Sequence, residues 1–154
     1  MKKKIIFGLL IIIGLFTVTA CGNSTKKSSS SDLHKTEFGD MLYKEPKNYS
    51  KKEPVTMDSY KMIHYEYTED ENKAINLYCY NGKKLGDLVD DNQEYTTVKI
   101  NGFEWRKYHN KDFGVEYDTY DYEYNGSLYR IELNVTDKYQ DEFDEFMKEV
   151  SFKK

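Results

Sequence analysis

Thr96-Thr97-Val98-Lys99-Ile100-Asn101-Gly102-Phe103-Glu104-Trp105-Arg106-Lys107 is the stretch from which the fold is read. Asn-Gly is a strong two-residue hairpin signal, because both turn positions need positive φ and these residues adopt it readily. Counting outward from the turn sets Ile100 against Phe103, Val98 against Trp105 and Thr96 against Lys107. The first two pairs place four apolar side chains on one face. On the other face Lys99 meets Glu104, a favourable cross-strand charge pair. Turn chemistry and alternation agree on one register.

Asn125-Gly126 repeats the logic. Tyr124 then faces Ser127, Tyr122 faces Tyr129 and Tyr120 faces Ile131, with Leu133 and Val135 continuing that side and Asp121 opposite Arg130 on the other. Upstream, Tyr60–Tyr67 and Ala74–Tyr80 read as a hairpin across Glu69-Asp70-Glu71-Asn72, with Ile63, Tyr65, Ile75, Leu77 and Cys79 facing the core. In that register Cys79 is a core residue and not a reactive thiol. Phe38–Tyr43 reads as a first strand, stopped by the turn residues Pro46 and Asn48, and Pro54 marks a second break. Asn81-Gly82 precedes Leu85, Leu88 and Val89 at helical spacing, which predicts a strand-to-helix turn and a short helix over Lys84–Asp90.

At the C-terminus Tyr139, Phe143, Phe146, Met147 and Val150 form one apolar stripe of a helix. Asp137 and Gln140 resemble a capping box, and Asp141, Glu142, Asp144 and Glu145 take the remaining surface. The predicted class is α+β: a largely antiparallel sheet with a short mid-chain helix and a C-terminal amphipathic helix packed on it. One domain over residues 37–154 accommodates these elements.

The preceding residues carry an address. Lys2-Lys3-Lys4, the hydrophobic run Ile5–Val18 and the small residues after it form the three parts of a secretory signal peptide. The run is short for a bilayer-spanning helix, which needs about 20 apolar residues. Val18-Thr19-Ala20-Cys21 resembles the lipobox of bacterial lipoproteins. That resemblance implies loss of residues 1–20 and a diacylglyceryl group, with palmitate-type chains, on the Cys21 thiol. An ordinary secretory site ahead of a cysteine would give the same string. Two acyl chains hold a protein stably where one binds marginally. Residues 21–36 then form a lipidated, Ser- and Lys-rich tether with a reach of roughly 20 Å for about 15 residues. The expected location is the extracytoplasmic face of the cell membrane. Heavy use of Lys, Ile, Asn and Tyr suggests an AT-rich Gram-positive source.

Loss of Lys2, Lys3 and Lys4 from the 23 basic residues leaves 20 against 27 acids, a net charge of −7. That balance argues against nucleic acid and against adhesion to anionic lipid. With Cys21 lipidated, Cys79 is the remaining thiol and no intramolecular disulfide can form. The 15 tyrosines and 8 phenylalanines supply the apolar area that aliphatic residues do not.

No arrangement for catalysis stands out. There is no Gly-x-Ser-x-Gly elbow, and His34, His64 and His109 lack neighbours at zinc-site spacing. The oxygen-rich turns Glu69–Asn72 and Asp87–Asn92 lack the alternation and glycine of an EF-hand loop. No cofactor or metal is expected. Trp105 and Tyr117 are the candidates for a ligand-binding groove, Tyr117 because it points with Asp121 and Glu123, away from Tyr120 and Tyr122.

The segments Tyr43–Tyr49, Lys99–Trp105 and Asn125–Ile131, with the final helix and its Glu149–Phe152 exit, resemble in order the PsbP/Mog1-like α+β domains of small bacterial lipoproteins. The resemblance covers residues 38–154 and implies a binding or assembly role without a catalytic set. A cystatin-like or other sheet-plus-helix domain accounts for the same order. The expected function is a non-enzymatic lipoprotein that binds an envelope protein or wall component. The alternative is a small-ligand-binding module with a Tyr/Trp-lined pocket, and an envelope enzyme comes third.

Overall fold

A computed structural model describes residues 35–112, 114–134 and 140–154. The early strands are short: β1 (Thr36–Phe38), β2 (Met41–Tyr43), β3 (Tyr49–Lys51) and β4 (Val55–Thr56). The long ones follow: β5 (Lys61–Tyr67), β6 (Asp70–Asn81), β7 (Thr96–Ile100), β8 (Phe103–Asp112), β9 (Val115–Tyr124) and β10 (Ser127–Asn134). Helix α1 (Gln140–Lys148) and β11 (Ser151–Phe152) complete the chain.

Both Asn-Gly turns form hairpins in the expected register. Asn101 and Gly102 take φ of 52° and 84°, and Asn125 and Gly126 take 47° and 73°. Ile100 pairs with Phe103 and Val98 with Trp105; Tyr122 pairs with Tyr129 and Asp121 with Arg130. The meander β7–β10 joins the β5–β6 hairpin because β10 lies antiparallel to β6. The large sheet therefore runs β3-β5-β6-β10-β9-β8-β7, with β4 also against β5, and a smaller sheet runs β1-β2-β11.

The core lies on one face of the large sheet. Ile63, Tyr65, Ile75, Leu77, Cys79, Trp105, Tyr129, Ile131 and Leu133 form one buried cluster with Phe38, Met41, Tyr43 and Phe152 of the small sheet and Phe143, Phe146 and Met147 of α1. Phe152 is its hub, with the rings of Phe103, Trp105, Tyr122, Tyr124 and Tyr129 at centroid distances of 4.7–6.0 Å. Such ring pairs each contribute about 0.5–1.5 kcal/mol beyond area burial.

The α+β expectation is corrected: the chain is mainly β. A three-stranded sheet built from both ends of the described chain supplies much of the cover that the sequence assigned to a C-terminal helix. Two local misreadings explain the error. Phe38–Tyr43 is not one strand but a hairpin, because Gly39 (φ 64°) turns the chain between β1 and β2. Gly39 also admits a close neighbour: a Cβ there would lie 2.7 Å from Tyr129 Oη, which accepts the Asp40 N–H at 2.8 Å. Secondly, the helix stops at Lys148, short of Val150, and Ser151–Phe152 pairs with β2 as strand β11.

The mid-chain helix reduces to one 3-10 turn, Leu85–Asp87. Gly86 disfavours helix, and so short a segment cannot offset the cost of nucleation. The β5–β6 turn falls at Thr68-Glu69, earlier than expected, with a bulge at Glu66/Tyr67. Val135, Asp137, Tyr139 and residues 1–34, including the stretch read as a signal peptide, Cys21 and His34, lie outside the described residues.

The asparagines of the two hairpin turns also clamp the cover. Asn101 Nδ2 donates to Val150 O at 2.8 Å and to Lys148 O, closing the C-terminal end of α1. Asn125 Nδ2 donates to Asp40 Oδ2 at 3.0 Å, holding the β1–β2 turn.

Candidate functional site

Alternation that sends Leu77, Cys79, Tyr129 and Ile131 into the core sends Asn76, Tyr78, Tyr80, Arg130 and Glu132 to the second face of the large sheet. There the sheet registers set Tyr78, Arg130, Asp121 and Arg106 in one row. Asn76, Glu132, Thr119 and Tyr108 form the next row. Segment 83–95 folds against one side of this face, where Leu85 N–H donates to Glu123 Oε1 at 2.7 Å.

At the centre Asp121, 1% exposed, accepts two bonds from Arg130, Nε at 2.8 Å and Nη2 at 3.0 Å, and one from Tyr108 Oη at 3.0 Å. Burial works to lower the Arg130 pKa, but the hydrogen bond and charge of Asp121 outweigh it and hold the guanidinium above its usual range. A buried pair with its acceptors filled is stable in place, whereas removal of one partner would strand a charge. The Arg130 guanidinium also lies 5.8 Å from the Tyr80 ring and 5.9 Å from that of Tyr108.

Glu132 lies beside this pair. Burial raises its pKa above the carboxylate range, opposed by the Arg130 charge and by hydrogen bonds with Tyr78 and Asn76. Asn76 Oδ1 in turn meets His64 Nδ1 at 2.6 Å. With the Asn76 amide donating to Glu132, that oxygen is the acceptor and His64 Nδ1 carries the proton. Thr119, fully buried, has a hydroxyl without a hydrogen-bond partner among the described residues.

Tyr60, Tyr78 and Tyr80 form a ridge at the border of this network, with ring centroids 5.4–5.9 Å apart and Tyr78 stacked on Tyr80. On the far side Arg106 stacks 4.7 Å from the ring of Tyr95, itself half exposed. Between segment 83–95 and the sheet a cavity of about 120 Å³ is lined by Leu85, Val89, Tyr95, Arg106 and Tyr108. The arrangement supplies aromatic edges, phenols, one locked ion pair and one protonatable carboxyl. Cys79 is not part of it: the thiol is buried on the core face, and burial raises its pKa.

Trp105 and Tyr117 do not meet. Trp105 is 1% exposed in the core, packed on Tyr122 and Phe152, whereas Tyr117 is half-buried and belongs by alternation to the second face. His64 is on the second face; His109, on the other, lies 3.3 Å from Asp118 Oδ1 and 3.7 Å from Glu116 Oε2. Among the described residues no three His, Cys, Asp or Glu side chains converge as a metal site. Asp90 Oδ1 instead closes its own turn by accepting Asn92 N–H and Nδ2 at 2.9 Å. The sequence reading does not single out Tyr60, Tyr78, Tyr80, Tyr108 and Glu132. The signal was present in β6, where the positions between Ile75, Leu77 and Cys79 hold asparagine and tyrosine.

No protein-family model matches the chain, and no curated protein matches it in sequence. It is similar in structure to a protein of Bacteroides thetaiotaomicron solved at 1.50 Å, with a TM-score of 0.53 and 11% identity. The similarity covers 75% of this chain and 46% of that one, so the chain spans less than half the length of its neighbour. At that identity the likeness is one of fold alone.

Proposed function

We propose that this protein is a lipid-anchored lipoprotein of the extracytoplasmic membrane face, and that its β domain is a non-enzymatic binding module for an envelope protein or wall component. The observation that carries the binding role is the Tyr60-Tyr78-Tyr80 ridge beside the locked Asp121–Arg130–Tyr108 group. Tyrosine combines a large rigid contact area with a phenol, at low entropic cost, which suits it to recognition surfaces. Arg130, held by Asp121, lies 5.8 Å from the Tyr80 ring, and the three rings pack on one another, so little ordering is needed on binding. The lipobox-like Val18–Cys21 supports the anchor. The alternative of a Trp-lined small-molecule pocket gains nothing from Trp105, which serves the core.

The test is retention of isolated wall sacculi and solubilised membrane proteins on the immobilised chain. A Tyr60→Ala/Tyr80→Ala variant of unchanged melting temperature should lose at least tenfold in partner retention. Retention equal to that of the unaltered chain would move the working surface elsewhere.

A further inference from the structure

We infer that the cleft between the Lys44–Tyr49 segment and α1 receives an extended basic segment of a partner polypeptide, with Lys or Arg at alternate positions. The cleft encloses about 480 Å³, within the range of binding sites, and lies apart from the tyrosine ridge. Its floor is apolar, formed by Tyr49, Ile75 and Phe146. Pro46 and Asn48, the latter at φ 63°, shape one wall. The other wall is acidic: Asp141, Glu142, Glu145 and Glu149.

Asp141, Glu145 and Glu149 recur every four residues along one edge of α1 and its exit. Four residues of helix rise about 6 Å, which sets Asp141 and Glu145 that far apart on α1, and Glu149 follows in the turn after Lys148. An extended chain presents side chains on one side every 6.6–6.8 Å or so. The two spacings match closely enough for successive basic side chains to meet Asp141 and Glu145, with Glu149 next in line.

The remaining charges sharpen the requirement. Glu142 is already engaged by Lys73 Nζ at 2.6 Å, and Lys73 has a side chain with no exposure, packed on the rings of Tyr67 and Tyr49. This pair pins α1 and leaves the other three acids to the cleft. Glu145 holds Lys148 at 2.7 Å, with both side chains more than 60% exposed. Such an exposed pair is weak, because solvent screens it, and it yields to a better-placed cation. Lys44 and Lys47 stand on the opposite wall, where Glu45 is held by Lys51 at 3.1 Å, so the acids left to the guest are those of the α1 wall. The intervening side chains of the guest, which point to that wall, must then be apolar to use Pro46 and Tyr49, and not basic.

The experiment is fluorescence anisotropy on the full chain in neutral detergent with three labelled hexapeptides. They are Lys-Val-Lys-Val-Lys-Val, its block-ordered isomer Lys-Lys-Lys-Val-Val-Val, and Glu-Val-Glu-Val-Glu-Val. The alternating basic peptide should bind at least tenfold tighter than the other two. Glu145→Lys/Glu149→Lys, both at exposed positions, should weaken it at least tenfold without lowering the melting temperature. Tyr60→Ala/Tyr80→Ala should leave it unchanged, which separates this cleft from the tyrosine ridge. Equal binding of the block-ordered isomer, indifference to charge reversal, or no binding of any peptide overturns the inference.

Discussion

Glu132 and Arg130 stand two residues apart on the same side of β10, yet one environment favours the charged form and the other the neutral form. Arg130 has a dedicated partner in Asp121, while burial holds the Glu132 pKa above its unfolded value of about 4.3. The folded state therefore binds the Glu132 proton more tightly than the unfolded state does. Its contribution to stability is fully present below about pH 4.3 and is lost as pH rises through the folded pKa. Glu45, whose pKa is lowered by the Lys51 hydrogen bond, acts in the reverse direction, so the Glu132 effect is isolated by comparison with a variant. Glu132→Gln should melt a few degrees higher than the unaltered chain at pH 7, with the gap closing towards pH 4, in thermal unfolding across that range. A lower melting temperature at pH 7 would mean that attraction to Arg130 outweighs burial. The Asp121–Arg130 pair was legible in the sequence because one turn fixes its register. Burial of Glu132 was not, since it depends on Asn76 and Tyr78 arriving from β6, a strand joined to β10 only in the folded sheet.

Among the elements, the β7–β8 turn has two tasks. Its backbone reverses the chain, and the side chain of Asn101 closes the end of α1 through Val150 O and Lys148 O. Asn101→Gly keeps the positive φ that the turn requires and removes only the second task. It should destabilise the protein by about 1–2 kcal/mol, the range for a hydrogen bond whose loss leaves carbonyls unfilled. Amide exchange should quicken in α1, notably at Phe146 and Met147, while β7–β8 amides stay protected. Equal quickening in the hairpin would show that the asparagine serves the turn alone. The example also shows where sequence reading stops. Within one hairpin the dipeptide and alternation determine register, so the β7–β8 and β9–β10 pairings were readable to the residue. The small sheet joins β2 to β11 across most of the domain, and no local pattern in the two-residue strand Ser151–Phe152 announces a partner at Met41 and Leu42. The cover over Trp105 was hidden for a related reason: alternation gave its face, but the covering Phe152 comes from that same distant strand.

On the scale of the whole molecule, the proposed anchor and the charge of the domain make a joint prediction. No helix among the described residues is long and apolar enough to cross a membrane. The chain beyond residue 20 carries a net −7, which an anionic membrane surface repels. The proposed diacyl group on Cys21 would then be the whole of the attachment, two chains that bury methylenes at about 0.8 kcal/mol each. Attachment of this kind should resist a high-salt wash, because no ion pairs are there to be screened, and should give way to detergent. In a bacterium with a working lipoprotein pathway, Cys21→Ser should appear in the medium or as uncleaved precursor. Salt-resistant membrane retention of a mature-sized Cys21→Ser protein would rule out the lipid anchor and point to a protein partner as the tether. Release of the native protein by salt alone would do the same, since hydrophobic attachment does not weaken as ionic strength rises.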